Sequence, residues 1–229
     1  MKKLFILFFL HLMSYSALSQ TMNIHFKNGQ TIEYNMDNID YLDFTEKKEN
    51  NTQVSSENAV DLGLSVKWAS CNIGATSPDQ LGDNYAWGET STKDEYKKEN
   101  YLYYDSTTDL YIDIGLDIKG TDYDAAHVSW GGSWRMPTKD EFNELRKRCQ
   151  WEWVNLNGIN GYKVIGINGN SIFLPVGKNS YYWMSGLWSD DVLKGKTPLA
   201  RYFHLNSGTV FSGGVARWHG YHIRPVSPK

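Results

Sequence analysis

The chain has 229 residues, of which 41% are hydrophobic and 21% are charged, and these proportions are typical of a globular protein. Its 23 basic and 26 acidic residues give a formal net charge of −3, which disfavours nucleic acid and anionic lipid as partners. Nine Trp, fifteen Tyr and nine Phe are more aromatic residues than one core of this size requires, so we expect some of these rings at the surface.

Residues 1–19 have the features of a cleavable signal peptide. Lys2 and Lys3 supply a positive segment, Leu4 to Met13 an apolar core, and Ala17 to Ser19 a cleavage site of small residues. The alternative is a membrane anchor, but the apolar core falls well short of the ~20 residues that a membrane-spanning helix needs. We therefore expect an exported protein without a transmembrane span, at the cell surface, in the extracellular space or in a periplasm.

Residues 20–44 are predicted to form a small β-hairpin segment. Apolar and polar residues alternate on both sides of Asn28-Gly29, a dipeptide typical of tight hairpin turns, and residues 39–44 are a candidate third edge. A hairpin this small is not stable alone, so it must pack on the main domain or on a partner. Residues 45–58 are polar and lack aromatic rings, which predicts a flexible linker before a main domain at 59–229.

The main domain is predicted to begin with short strands and to continue through long loops as far as Gly120, because Gly, Pro and Asp interrupt every periodic pattern there. Asp124 is a suitable N-cap for a short helix that ends before Gly131. Thr138 and Glu141 form a capping box for a second helix. Its apolar positions follow at helical spacing, and they are Phe142, Leu145 and Cys149.

The stretch after the second helix is predicted to be rich in strands. Residues 162–167 and 171–174 flank Asn168-Gly169 and should form a hairpin. Further short strands are predicted at residues 181–184, 200–205, 209–211 and 221–226.

Cys71 and Cys149 are the two cysteines of the chain. An even number of cysteines in an exported protein favours pairing, so a disulfide between them is predicted. The alternative is that Cys149 is a small buried side chain on the apolar face of the second helix.

Several sequence blocks follow one another in order along residues 59–226. They are Asp61 to Leu64, Trp68 to Ala75, Tyr85 to Glu89, Trp130 to Thr138, Asn170 to Pro175 and Gly220 to Val226. Together these blocks resemble the Fibrobacter succinogenes major paralogous domain family. The resemblance implies a fold similar to C-type-lectin-like domains and the sulfatase-modifying-factor group: an α+β domain with two short helices, twisted antiparallel strands and long loops. It also implies an exported surface protein, since members of the family look like such proteins and mostly lack an assigned activity.

Familiar catalytic motifs are absent from the sequence. It has no Gly-x-Ser-x-Gly elbow, His-Glu-x-x-His helix, Walker loop or dinucleotide fingerprint. The formylglycine-generating branch of the related fold depends on reactive cysteines, and neither Cys71 nor Cys149 resembles a redox pair in a substrate cleft. The chain is therefore predicted not to be an enzyme and to have no catalytic residue.

Acidic stretches at 79–84 and 117–124 leave calcium open as a cofactor, although neither follows the spacing of an EF-hand. The alternative is that these residues are turn-forming acids. His219 and His222 are the closest histidine pair, but residues three apart on a strand point to opposite faces, so no metal site is assigned to them.

The C-terminal third interleaves aromatic with polar residues, a combination that suits a ligand-binding surface. Along residues 200–206, alternation places Phe203 and Leu205 on one side and Tyr202, His204 and Asn206 on the other, which is the candidate surface. The candidate ligand-binding residues are Tyr182, Trp183, Trp188, Asp190, Tyr202, His204, Asn206, Arg217, Trp218, His219 and Tyr221. The alternative is that most of these rings pack the domain.

The remaining Trp residues and Arg224, which belongs to the closing block, are predicted to be structural. The Trp residues assigned to the core are Trp68, Trp87, Trp134, Trp151 and Trp153. The sequence thus predicts an exported, non-catalytic surface binding or adhesion module for a glycan or protein ligand. The alternatives are a structural subunit of a surface assembly docked through the N-terminal hairpin, and an enzyme similar to the sulfatase-modifying factors.

Overall fold

The computed structural model describes residues 21–25, 31–35, 58–177, 180–188 and 198–229. The predicted signal peptide, the hairpin turn, the candidate third edge and all of the predicted linker except residue 58 lie outside these ranges. Within them the chain is mixed α+β, with two α-helices and mostly antiparallel strands in small sheets. The α+β class that the family resemblance implies is therefore confirmed.

The N-terminal unit, Met1–Glu49, contains two strands, β1 (Thr21–His25) and β2 (Thr31–Asn35). They pair antiparallel, as the alternation predicts, with position 22 opposite 34 and position 24 opposite 32. Because strand residues alternate between faces, these four positions, which hold Met, Tyr, Ile and Ile, belong to one face of the hairpin.

The second unit, Asn50–Lys229, holds both helices and the remaining strands. The helices are α1 (Ala125–Trp130) and α2 (Lys139–Arg148), and Lys98–Asn100 form a 3₁₀ turn. The first strands are β3 (Ala59–Val60), β4 (Lys67–Ala69), β5 (Tyr104–Asp105), β6 (Leu110–Tyr111) and β7 (Gln150–Leu156). The later strands are β8 (Ile159–Ile165), β9 (Ser171–Pro175), β10 (Tyr181–Leu187), β11 (Leu199–Asn206), β12 (Thr209–Ala216) and β13 (Val226–Ser227).

The described strands of the second unit form four small sheets, with orders β13-β4-β3, β7-β8-β9, β10-β11-β12 and β5-β6. Every neighbouring pair within them is antiparallel. Because β4 lies between β3 and β13, the first and last strands of the unit are joined in one sheet.

Both helices begin where their sequence signals predict. The Asp124 carboxylate accepts hydrogen bonds from two backbone N–H groups in the first turn of α1, and the helix ends at Gly131, whose φ of 67° favours glycine. At α2 the Thr138 hydroxyl accepts from the Glu141 N–H while the Glu141 carboxylate accepts from the Thr138 N–H, so the capping box is confirmed. Neither helix of the described chain has the length and apolar character needed to cross a membrane.

The hairpin of β7 and β8 extends the strand region beyond its predicted bounds. β8 begins at Ile159, and β7 pairs with it along its whole length. The turn between them is Asn157-Gly158, with φ angles of 51° and 89°, which these two residue types tolerate best. The same dipeptide signal predicts the β8–β9 turn correctly, and applying it here predicts β7 as well.

Two predicted C-terminal strands have different bounds in the structure. β12 continues from the predicted 209–211 as far as Ala216. The predicted strand 221–226 is wrong, since Tyr221 and His222 form isolated bridges and regular pairing resumes at β13. The backbone of residues 221–225 instead forms hydrogen bonds with distant segments. For example, the Ile73 N–H donates to the Ile223 carbonyl oxygen.

Two hydrophobic cores lie against opposite faces of β10 and β11. The first includes Tyr182 and Phe203 and is covered by α2, whose Phe142 ring stacks on Phe203 at 4.4 Å. The second includes Trp183 and Ala200 and is covered by α1 and by the long loops before it. These strands are thus buried on both faces along much of their length.

Three of the Trp residues assigned to the core are buried, and they are Trp68, Trp87 and Trp134. Trp151 is half-buried and packs against the first core. Trp153 is 40% exposed, so its assignment to the core is wrong.

Arg224 is structural, as predicted, because it is fully buried and its guanidinium bonds to other parts of the unit. Its guanidinium donates hydrogen bonds to Asn72 Oδ1 at 2.7 Å and to the carbonyl oxygens of Ala69 and Phe173 at 2.9 Å each. Desolvation lowers the pKa of Arg224 to about 10, so the group stays charged at neutral pH. It connects the closing segment to two other parts of the unit.

The predicted disulfide is wrong, because both cysteines are free thiols. Cys71 is buried after β4, where its Sγ donates a hydrogen bond to the Ala75 carbonyl oxygen at 3.3 Å. Cys149 lies at the C-terminal end of α2 and packs against the first core. The alternative interpretation of Cys149, a small buried side chain on the apolar face of α2, is closer to the structure, although the residue is half-buried and caps the helix end.

Aspartate side chains stabilise turns in the loop-rich stretch before α1. Asp105, Asp113 and Asp117 each accept a hydrogen bond from the backbone N–H two residues further on. These short-range bonds stabilise turns, which explains why the stretch between β4 and α1 consists mainly of loops.

Candidate ligand-binding site

Alternation along β11 separates buried from accessible side chains as predicted. Phe203 and Leu205 are 0% and 1% exposed and belong to the first core. Tyr202 and His204 are half-buried and Asn206 is exposed. The outward side of β11 therefore presents two aromatic side chains and one amide.

Two direct cross-strand pairs align aromatic side chains across the sheet. Tyr181 of β10 is opposite His204 of β11, and His204 is opposite Phe211 of β12. The ring centroids are 4.2 Å apart in the first pair and 5.0 Å apart in the second. All three side chains are partly accessible. The three rings thus contact one another at tilted angles across three strands.

Residues after β12 extend this line of rings. Tyr221 stacks on Tyr181 with centroids 4.8 Å apart, His219 stacks on Tyr221 at 5.7 Å, and Trp218 stacks on His219 at 3.9 Å. Tyr221 is held in place because its backbone exchanges two hydrogen bonds with that of Tyr85. We call the resulting surface the aromatic row, and its members are Trp218, His219, Tyr221, Tyr181, His204 and Phe211.

Tyr202 lies beside the aromatic row, and the position of its ring requires a glycine on the neighbouring strand. Its ring is 5.3 Å from that of Tyr181 and 5.8 Å from that of Tyr221. On β12 it is paired with Gly213, where an added Cβ would lie 2.8 Å from the Tyr202 Oη. The missing side chain therefore gives the tyrosine room to lie across the neighbouring strand.

The aromatic row is uncharged near neutral pH. Desolvation lowers the pKa of His204 and of His219, which keeps both imidazoles neutral, and it raises the pKa of Tyr202 and of Tyr221. The Nδ1 atom of His204 is buried and has no hydrogen-bond partner among the described residues. The row therefore offers a neutral, largely aromatic surface with few polar atoms.

A groove of about 300 Å³ opens beside the aromatic row at His204. We call it the Trp153 groove, and it is lined chiefly by Trp153, Asn160, Ser180, His204, Asn206 and Ser207. Trp153 is accessible, and its ring meets that of Tyr162, its cross-strand partner on β8, edge-on. The missed Asn157-Gly158 hairpin is the sequence signal that would have placed Trp153 on β7.

Two candidate residues of β10 are buried and do not form part of the surface. Tyr182 is fully buried and its hydroxyl donates to the Pro175 carbonyl oxygen at 2.7 Å. Trp183 is fully buried and its indole N–H donates to the Tyr85 carbonyl oxygen at 2.7 Å. Their assignment to a ligand surface is corrected, because the first core covers Tyr182 and the second core covers Trp183.

Arg217 is also buried and structural. Its guanidinium carbon lies 4.8 Å from the ring centroid of Tyr111 and 5.6 Å from that of Trp87. It also donates a hydrogen bond to the Ile112 carbonyl oxygen. Arg217 therefore connects the last strands to the loop region and does not face a ligand.

Trp188 lies on the opposite side of the sheet from the aromatic row. A Cβ on Gly214 would lie 2.2 Å from the Trp188 ring, and the Arg201 guanidinium carbon is 5.3 Å from the ring centroid. Arg201 and Gly214 are cross-strand partners, and Tyr202 points to the other face because neighbouring residues alternate. The remaining candidate, Asp190, lies outside the described residues.

Carboxylates of the two acidic stretches bond to the fold where the structure describes them. Asp79 accepts from the Ser77 hydroxyl and from Asn157 Nδ2, and both oxygens of Asp124 accept from backbone N–H groups. Within the described ranges, no three His, Cys, Asp or Glu side chains are grouped so that they could hold a metal ion. These contacts favour the interpretation of the acids as turn-forming residues.

No family model, curated protein or solved structure matches the chain. The resemblance to the major paralogous domain family therefore stays a prediction. Function is inferred from the geometry of the aromatic row and the Trp153 groove.

Proposed function

We propose that the chain is an exported, non-catalytic surface module that binds or adheres to a glycan or protein ligand through the aromatic row. The observation that carries this proposal is the continuous contact among its rings, all of which are partly accessible. Rigid aromatic side chains provide large contact areas while losing little conformational entropy on binding. A row fixed on a sheet is therefore suited to recognition.

The proposed fold is C-type-lectin-like, within the major paralogous domain family. Two short helices, small antiparallel sheets and the loop-rich stretch between β4 and α1 support it. So does the closing strand β13, which pairs with β4 near the beginning of the unit. Export is proposed from the signal peptide at residues 1–19.

The non-catalytic part of the proposal rests on the chemistry of the side chains. The buried Nδ1 atom of His204 has no hydrogen-bond partner among the described residues, so no carboxylate orients this imidazole through Nδ1 as in a catalytic triad. An enzyme similar to the sulfatase-modifying factors would need a reactive cysteine. Desolvation raises the pKa of Cys149 to about 11, which suppresses the thiolate.

The full chain can be tested on arrays of glycans and of extracellular proteins. A His204→Ala, Phe211→Ala double variant removes two neighbouring rings of the aromatic row, and we expect it to lose the ligand that the unaltered chain binds. Leu102→Ala is a control, because Leu102 is 65% exposed and lies outside the row. Equal binding by the double variant and the control would contradict the proposal.

A structural role in a surface assembly is the second candidate, and the N-terminal hairpin favours it. Its register assigns four apolar or aromatic positions to one face, and a two-stranded hairpin needs further packing to be stable. Deleting residues 21–44 distinguishes the two functions. An assembly subunit would lose its partner on deletion, whereas a receptor acting through the aromatic row would keep its ligand.

A further inference from the structure

The Trp153 groove contains a flat aromatic platform beside the aromatic row. The Trp153 side chain is 40% exposed, and its ring meets that of Tyr162 at 5.1 Å and an angle of 74°. Because Tyr162 is 6% exposed and belongs to the first core, the platform rests on rigid structure. A buried support of this kind holds an accessible ring in one orientation.

Tyr162 also fixes the opposite wall of the groove. Its hydroxyl donates a hydrogen bond to the Asn206 carbonyl oxygen at 2.9 Å and accepts one from the Gly208 N–H at 3.0 Å. These bonds hold the turn between β11 and β12, which carries Asn206 and Ser207. One tyrosine therefore sets both the platform and the polar wall before any ligand arrives.

The polar groups of the groove are amides and hydroxyls. Asn160 and Asn206 are exposed, Ser207 is exposed, and none of the described residues that line the groove carries a formal charge at neutral pH. The buried Nδ1 of His204, which has no hydrogen-bond partner among the described residues, belongs to a ring at the junction of groove and row. Such a lining suits a ligand that has many hydroxyl groups and no charge.

We propose that the Trp153 groove seats one ring of a neutral glycan, whose apolar C–H face lies on Trp153 while its hydroxyls bond to Asn160, Asn206 and Ser207. The inference rests on the proposed function and names the ligand class for it. The groove of about 300 Å³ is at the lower end of the ~300–1,000 Å³ typical of ligand pockets, which fits one ring. Further rings of the glycan continue along the aromatic row, which meets the groove at His204.

The test uses the full chain and an array of neutral polysaccharides and their oligomers, with sialylated and sulfated glycans for comparison. Trp153→Ala is expected to weaken binding of a neutral oligomer by at least about tenfold, which corresponds to about 1.4 kcal/mol. Trp188→Ala is the matched control, since it removes the same residue type with nearly the same exposed fraction, 41%, from a position outside both the Trp153 groove and the aromatic row. Its affinity should stay within about twofold of the unaltered chain.

Asn206→Ala keeps the inference testable if Trp153→Ala fails to fold, because Asn206 is exposed and its side chain can be removed without opening the core. It too should weaken binding of neutral glycans, whereas peptides and charged glycans should not bind in the groove. Neutral glycan binding that survives both groove variants but is lost in the His204→Ala, Phe211→Ala variant would overturn the groove inference and leave the proposed function standing. Binding of a protein ligand alone would likewise overturn the groove inference and leave the proposed function standing. If the chain binds no ligand on either array, the groove inference and the proposed function are both overturned.

Discussion

Replacing Asp124 by Asn tests whether one buried carboxylate organises the loops that cover the second core. Asp124 is fully buried, and Oδ1 accepts hydrogen bonds from the N–H groups of Ala126 at 2.9 Å and His127 at 3.2 Å. Oδ2 accepts from the N–H groups of Gly120 at 2.8 Å and Met136 at 2.9 Å. The side chain thus joins the end of the long loop, the start of α1 and the segment before α2.

Asparagine has the same shape but only one acceptor oxygen. In either orientation of the amide, its NH₂ group faces two N–H donors, so two hydrogen bonds to a charged acceptor are lost at ~1.5–3 kcal/mol each. Desolvation raises the pKa of Asp124, which means that burial already offsets part of this stabilisation. We therefore expect a loss near the lower limit, about 3 kcal/mol, or about 6–12 °C in Tm for a domain of this size.

The measurement is urea unfolding at pH 7, followed by tryptophan fluorescence for Asp124→Asn and for a matched Asp122→Asn control. Asp122 is exposed in the same loop, so its substitution should change the free energy of unfolding by less than about 0.5 kcal/mol. A loss below about 1 kcal/mol for Asp124→Asn would show that the four N–H groups do not depend on the charge.

Gly213→Ala should cost only about 1 kcal/mol in unfolding free energy yet weaken ligand binding, because the new Cβ displaces the Tyr202 ring; unchanged affinity would contradict this. Thiol titration of the unfolded chain should find both Cys71 and Cys149 reactive, whereas Cys149 in the folded chain should react slowly at pH 8 because its pKa is raised to about 11. Burial lowers the pKa of His222 below 6.5, so the folded state binds fewer protons than the unfolded chain. Stability should therefore be full above about pH 7 and fall as the pH drops through about 6.5, and His222→Gln should make this fall smaller in urea titrations at pH 7.5 and 5.

Local sequence signals correctly predict those elements that residues close together in the sequence determine. The caps at Asp124 and Thr138 fix both helix starts, and alternation places Tyr202 and His204 outward because one side of β11 contacts α2. Trp183 cannot be assigned in this way. It is buried because a second core covers the other face of β10, and that cover comes from loops more than fifty residues earlier, which no local pattern reveals.

Trp153 illustrates the same limit of local patterns, because a residue predicted to be buried is accessible in the structure. A tryptophan is usually buried, and only the structure shows that Trp153, paired with Tyr162 from the edge strand β7, is exposed. The disulfide prediction failed for a related reason. The number of cysteines does not show where each thiol lies. In the structure the Cys71 thiol bonds within the turn that follows β4, whereas Cys149 lies at the end of α2 against the first core.

The alternating placement of side chains on β11 and β12 bears on how such a chain can evolve. Phe203, Leu205 and Val210 pack the first core, while His204 and Phe211 make no contribution to that core. Substitution at outward positions can therefore alter recognition while the inward positions preserve the fold. Related chains could acquire new ligands through changes at these outward positions, and mutational tolerance should alternate over residues 203–206 and 209–212, the end of the two strands that the second core does not cover.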